Sequence, residues 1–103
     1  MESKYQLIMV ICNNGFASDI VDTVRKEGAT GATILHARGS ASDEMQTFLG
    51  ITIHPEKEIV LMVTSNELKA PLMKAIAANH GITTEARAIC FSLPVDDGIG
   101  FNF

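Results

Sequence analysis

Apolar runs separated by short polar breaks give the first indication of structure in this chain. Residues 5–12 are apolar on both faces, as expected for a central strand of a sheet. After a break at residues 13–15, apolar residues recur with helical spacing as far as Val24, and Gly28 is placed to end that helix. The chain therefore begins with a strand followed by an amphipathic helix.

The same kinds of pattern continue through the rest of the chain. Residues 32–38 and 58–63 are predicted strands, residues 66–79 a helix, and residues 86–93 a last strand that ends before Pro94. The element order is βαββαβ. With right-handed crossovers this order gives an α+β, ferredoxin-like sandwich, in which two helices cover one face of a four-stranded antiparallel sheet. The other face would be apolar and uncovered, which predicts a homo-oligomer.

The segment between the second and third predicted strands keeps neither a strand period nor a helix period. We therefore expect a single domain over residues 1–103 with a long loop at about 39–57. Connections of this length are often functional. An apolar patch at residues 48–51 either docks on a target or packs against its own subunit, and the sequence leaves both alternatives open.

Composition and charge narrow the class of protein. The chain has 103 residues, is 47% hydrophobic and carries a net charge of −4, which fits one globular domain and argues against a general nucleic-acid binder. It has neither an apolar run of about 20 residues, as a membrane span needs, nor the basic start of a secretion signal. Cys12 and Cys90 lie in separate apolar segments, outside any metal-binding spacing. We expect a cytoplasmic protein with two buried, reduced thiols.

Sequence motifs of catalysis are absent. The chain has no phosphate-binding P-loop, no GxGxxG and no GxSxG, and His36, His54 and His80 are scattered. Acylphosphatases share the predicted fold, but residues 13–16 lack the arginine of their anion-binding loop. We expect a binding protein rather than an enzyme, with a small acylphosphatase-like hydrolase as an alternative.

Two segments resemble the PII nitrogen-regulatory family. Residues 28–39 begin Gly-Ala-Thr-Gly-Ala-Thr and end in glycine, as in the family's second strand, which leads into a long loop called the T-loop. Residues 91–95 resemble the family's fourth-strand ending. The element order and the place of the long loop also agree, so the resemblance covers roughly residues 5–96.

The resemblance implies a cytoplasmic homotrimer whose sheets line its interior. Adenine nucleotide (ADP, AMP or ATP) would bind as an effector in the clefts between neighbouring subunits, with no cofactor required. The long loop would then regulate a protein partner, either an enzyme or a membrane transporter, in nitrogen metabolism or transport. A CutA-like trimer of the same superfamily, structural or metal-binding, is the alternative.

The resemblance also implies a set of site residues. Gly31 would let a purine approach the backbone, Thr33 would offer a hydroxyl, and the backbone of Met62 would read the adenine edge. Phosphate groups would lie against the base of the long loop and against a second loop, the B-loop, through Arg38, Gly39, Ser40 and Arg87.

This chain departs from the family pattern at the expected phosphate contacts. Its B-loop, residues 80–88, has one glycine and no lysine, whereas the family's is rich in both. Asp43 and Glu44 would repel a triphosphate. We therefore expect weak nucleotide binding that favours fewer phosphates. The sole tyrosine, Tyr5, lies in the first strand, so the loop has no tyrosine to uridylylate.

Overall fold

A computed structural model describes residues 4–40 and 44–101 of the chain. In chain order the elements are β1 (Tyr5–Asn13), α1 (Ala17–Lys26), β2 (Thr33–Arg38), β3 (Gln46–Phe48), β4 (Ile51–Ile53), β5 (Glu56–Ser65), α2 (Asn66–His80) and β6 (Ile89–Pro94). The sheet has the strand order β2-β5-β1-β6, and β3 and β4 form a separate hairpin. Neighbouring strands of the sheet are antiparallel, which confirms the predicted α+β, ferredoxin-like sandwich.

One face of the sheet packs under the two helices and forms the core. Because strand side chains alternate between faces, every second residue of β1 and β5 is buried there. The apolar stripes of α1 and α2 supply the other half of the core. The largest fully buried side chains are Ile8, Val10, Cys12, Val60, Ile20, Val24, Leu72 and Ile76.

The last strand begins later than the sequence predicts, at Ile89 instead of residue 86. Arg87 adopts a left-handed backbone conformation, with φ of 46°, which an extended strand does not allow. Its neighbours Ala86 and Ala88 are nevertheless buried. Their burial explains why this segment has the apolar composition of a strand without being one.

A hairpin occupies part of the segment predicted as a long loop. β3 pairs with β4, and Leu49 and Gly50 form the two-residue turn between them. Both turn residues have positive φ, 51° and 80°, as a type I′ turn requires. Each strand has only three residues, too few for an alternating pattern to be recognised in the sequence. Residues 41–43 lie outside the described residues.

A buried carboxylate holds the start of α1. Glu58 of β5 is 9% exposed, and its Oε1 accepts hydrogen bonds from the backbone N–H groups of Gly15 (2.6 Å) and Ala17 (3.1 Å). Phe16, the residue before the helix, makes no side-chain cap. Glu58 therefore satisfies donors that a helix start leaves free, and its charge faces the positive end of the helix dipole.

Cys12 and Cys90 carry free thiols on the helix side of adjacent strands. Cys12 is buried, but Cys90 is half-buried, so the expectation of two buried thiols is correct only for Cys12. Cys90 pairs with Val10, which places the cysteines at diagonal positions about 7–8 Å apart, too far for a disulfide. Burial raises the pKa of each thiol to about 11, and the charge of Glu58 contributes at Cys12.

We expect Glu58→Ala to lower the free energy of unfolding by about 1–3 kcal/mol, because two backbone donors lose their acceptor. Glu58→Gln keeps the shape and one acceptor oxygen, so its effect should be smaller. Urea denaturation at neutral pH measures both. Glu56→Ala removes an exposed carboxylate from the same strand and serves as the control. Equal losses at Glu56 and Glu58 would contradict the capping role.

We expect both thiols of the native protein to resist alkylation at pH 8. At a pH three units below its pKa, a thiol is ionised in only about one molecule in a thousand. The ionised form, the thiolate, is the one that reacts. Intact-mass measurement should show two unmodified thiols after treatment with a maleimide, and two adducts when the protein is denatured first. Rapid modification of either cysteine in the native state would show that its thiol is not held as described.

Candidate functional site

Within the described residues, the sheet face opposite the helices is uncovered and largely apolar. Leu35 and Phe91, from the two edge strands, are 44% and 40% exposed. A continuous apolar surface across four strands is unusual for a protein that works as a monomer. Paired residues form three rows across this face, Thr33–Leu61–Met9–Phe91, Leu35–Ile59–Ile11–Ile89 and Val63–Leu7–Leu93.

A cavity of about 540 Å³ lies beside one end of this face. The pairing of β2 with β5 ends at Thr33 and Leu61, whereas β5 continues to Ser65. We call residues 62–65, which pair with β1 but not with β2, the free end of β5. Beyond Leu61, alternate residues of β5 therefore direct their backbone N–H and C=O groups away from β1, toward the side on which β2 is no longer paired. The cavity is lined by the uncharged residues Leu7, Thr30, Gly31, Ala32, Thr33, Leu61, Met62, Val63, Gly100 and Phe101.

Three of the site residues implied by the resemblance lie at this cavity. Gly31 is exposed, and a Cβ built on it would meet no atom within 4 Å, so a ligand can approach its backbone. Thr33 is exposed at the first position of β2. The side chain of Met62 is buried in the core at 3% exposure. The side chain of Met62 is therefore not available to a ligand in the cavity.

The other implied residues lie at the opposite end of the sheet. Arg38 is five positions beyond Thr33, about 17 Å along an extended strand, and Gly39 and Ser40 follow it. Arg87 lines a smaller cavity of about 150 Å³ that is also lined by Ile11, Glu44, Lys57, Ile82 and Ile89. The two groups of implied residues therefore lie apart within one chain.

An ion pair that the sequence analysis missed joins the base of the hairpin segment to the sheet. Lys57 Nζ donates to Glu44 Oε2 at 2.5 Å and to Asn13 Oδ1 at 2.8 Å. The hydrogen bond from Lys57, together with the charges of Lys57 and Arg87, lowers the pKa of Glu44. No sequence pattern links these residues, because their contact depends on the path of the chain between them.

The hairpin presents apolar side chains away from its own subunit. Phe48, Leu49 and Ile51 are 63%, 86% and 67% exposed. Phe48 and Ile51 are paired across the hairpin, and the neighbouring pair, Thr47 and Thr52, occupies its other face. Of the two alternatives left open by the sequence, packing against the same subunit is therefore wrong.

The described part of the chain holds neither a cluster of metal ligands nor a membrane-spanning helix. Over residues 4–40 and 44–101, no three or more His, Cys, Asp and Glu side chains form a group that could hold a metal ion. No helix in these ranges has both the length and the apolar character needed to cross a membrane.

Solved structures similar to this chain are known, but comparisons of its sequence find no match. No family model and no curated protein matches the chain. Three similar solved structures each cover most of the chain. Arabidopsis thaliana PII bound to citrate is 18% identical with a TM-score of 0.71, covering 90% of this chain and 78% of that one.

The other two similar structures are bacterial. B. subtilis GlnK is 11% identical with a TM-score of 0.70, covering 91% of this chain and 87% of that one. A PII-like signaling protein from Thermus thermophilus is 18% identical with a TM-score of 0.68, covering 92% and 90%. Identities this low establish architecture alone, and the architecture of this chain is the fold of the PII and PII-like proteins.

Proposed function

We propose that this chain is a divergent PII-like signal-transduction protein of the cytoplasm, which binds a small effector and regulates a partner protein. The observation that carries the proposal is the uncharged cavity at the free end of β5, on a fold shared with PII proteins. Gly31, Thr33 and Met62 were selected from the sequence and lie around this one cavity. Exposed backbone groups and a hydroxyl suit the edge of an adenine ring, which both donates and accepts hydrogen bonds.

The apolar sheet face supports a homotrimer. Burying it between copies would remove Leu35, Phe91 and their neighbours from water, at about 25 cal/mol for each Å² of apolar surface. A closed ring of three subunits uses the same surface in every copy and leaves none of it free. The clefts between subunits would then bring the cavity of one copy to the Arg38–Ser40 and Arg87 group of the next.

The charges at that second group favour an effector with few phosphates. Lys57 is already bonded to Glu44, and Glu44 also lies close enough to Arg87 to be affected by its charge. A nucleotide phosphate would have to compete with this carboxylate for the same cations. AMP or ADP should therefore bind better than ATP.

The loop after β1 supports a regulator rather than a hydrolase. A phosphatase of this fold needs free backbone N–H groups there to bind its anionic substrate. Here the N–H groups of Gly15 and Ala17 already donate to Glu58. An acyl phosphate would meet the Glu58 carboxylate at this position.

The hairpin is the surface that we assign to the regulated partner. Its exposed apolar residues include Phe48 and Ile51, and the sequence has no Asp, Glu, Lys or Arg between Glu44 and Glu56. A surface of this kind favours an apolar contact on an enzyme or a membrane transporter. We extend the proposal to a role in nitrogen metabolism or transport, which the resemblance of residues 28–39 and 91–95 to the PII nitrogen-regulatory family implies.

Light scattering should give a mass about three times the 11.1 kDa of one chain. Met9→Lys places a charge in the middle row of the open face and should dissociate the trimer, because a buried unpaired charge is strongly unfavourable. Leu49→Lys places the same charge on the exposed hairpin and should leave the mass unchanged. A stable monomer of the parent protein at micromolar concentration would contradict the trimer.

Calorimetry should detect AMP or ADP binding more tightly than ATP. Thr33→Val should weaken binding by about 1–3 kcal/mol if the hydroxyl bonds the ligand directly. Gly31→Ala should also weaken binding, because the added Cβ would lie where the ligand approaches the backbone. The new Cβ at residue 31 meets no protein atom, so a loss there reports on the ligand rather than the fold. Arg87→Gly removes the phosphate-side charge without straining a backbone that has positive φ.

Hydrogen exchange over residues 46–53 should slow when the nucleotide is added, because an effector that signals must shift the states of the hairpin. Hydrogen exchange of α1 provides the internal control and should not change. Unaltered exchange in the hairpin, together with parent-like binding by all three variants, would rule out the nucleotide-sensor function.

A further inference from the structure

We infer that Phe101 determines the specificity of the cavity at the free end of β5, as an aromatic wall that selects a flat heteroaromatic ring. Phe101 and Gly100 line this cavity together with Gly31, Thr33 and Leu7. The site would then recognise the base of its effector rather than the phosphates. This inference rests on the proposed nucleotide-binding function and adds the group that reads the base.

The chain after β6 is shaped to return Phe101 to the sheet. The Val95 N–H donates to the Tyr5 carbonyl oxygen at 3.1 Å, which fixes the start of this tail on β1. Gly100 has φ of 95°, a conformation that residues with a side chain rarely adopt. The tail therefore turns back at a position where glycine is strongly preferred.

A second glycine makes room for the ring itself. A Cβ on Gly98 would lie 2.5 Å from two carbon atoms of the Phe101 ring. The ring also meets Tyr5 edge to face, with centroids 4.9 Å apart and an angle of 83° between the planes. These contacts hold Phe101 in one place, and a positioned ring costs less entropy on binding than a mobile one.

The lining residues select the chemistry of the ligand. None of them is charged, so the cavity offers a phosphate group no cation. It does offer an aromatic ring, the aliphatic side chains of Leu7 and Val63, and the exposed backbone of Gly31. A flat ring with nitrogen donors and acceptors can pack against the aromatic and aliphatic side chains and can hydrogen-bond to the backbone of Gly31. A sugar phosphate without a base can do neither.

Calorimetry on the full chain in its native oligomeric state tests this with adenosine, AMP, ADP and ribose 5-phosphate. We expect adenosine to bind within a few-fold of AMP, and ribose 5-phosphate to give no measurable heat. Phe101→Leu should weaken adenosine and AMP equally, by about tenfold, because it removes the ring and keeps an apolar side chain. Phe101→Trp keeps a ring and should restore most of the affinity.

Two further variants separate the ring from the fold of the tail. Ile99→Ala changes a neighbouring side chain that is 97% exposed and does not line the cavity, so its affinity should equal that of the parent. Gly98→Ala should displace the ring and reproduce the loss seen in Phe101→Leu. Light scattering on each variant verifies that the oligomer is intact.

Each outcome decides between this inference and the function on which it rests. Parent-like binding of AMP by Phe101→Leu, with Gly31→Ala still impaired, would overturn the aromatic wall and leave the nucleotide site standing. Binding of ribose 5-phosphate as tight as that of AMP would also overturn the wall. Failure of the parent protein to bind any of these nucleotides or adenosine would overturn both proposals.

Discussion

Two central strands that are apolar on both faces are the constraint on which the rest of the structure depends. Strand side chains alternate, so β1 and β5 each contribute one row to the core under the helices and one row to the open face. Two helices can cover only one of those faces. The second face is therefore left exposed to water, at a free-energy cost, unless another protein surface covers it. Because β5 pairs with β1 over more residues than with β2, it extends beyond its last pair with β2, and the cavity lies beside this extension.

Polar groups at the ends of these strands fix the connections between elements. Glu58 ties β5 to the start of α1, and its neighbour Lys57 ties the same strand to Glu44 at the base of the hairpin segment. Being adjacent in a strand, Glu58 and Lys57 point to opposite faces of the sheet. One end of β5 therefore anchors a helix on the core side and the hairpin segment on the open side.

Long elements with repeated patterns were predictable from the sequence, and short or irregular ones were not. β1 is a long apolar run, and α1 and α2 repeat the helical period several times, whereas the three-residue strands of the hairpin are too short for any period to repeat. The early start assigned to β6 came from buried alanines around a left-handed Arg87, a conformation that composition does not encode.

At the cavity, Gly31, Thr33 and Met62 were found through the resemblance. Phe101 was missed because its contact with β1 arises only when the chain folds. The glycines at 98 and 100, just before it, do indicate a sharp turn in the sequence.

The turn of the hairpin has an energetic consequence. Leu49 has a left-handed backbone, which for a residue with a side chain costs about 1–2 kcal/mol, and its side chain recovers little because it is 86% exposed. A two-stranded hairpin is at best marginally stable in water even without such a cost. The formed and open states should therefore be close in free energy. A binding event that distinguishes them by about 1.4 kcal/mol would change their ratio tenfold.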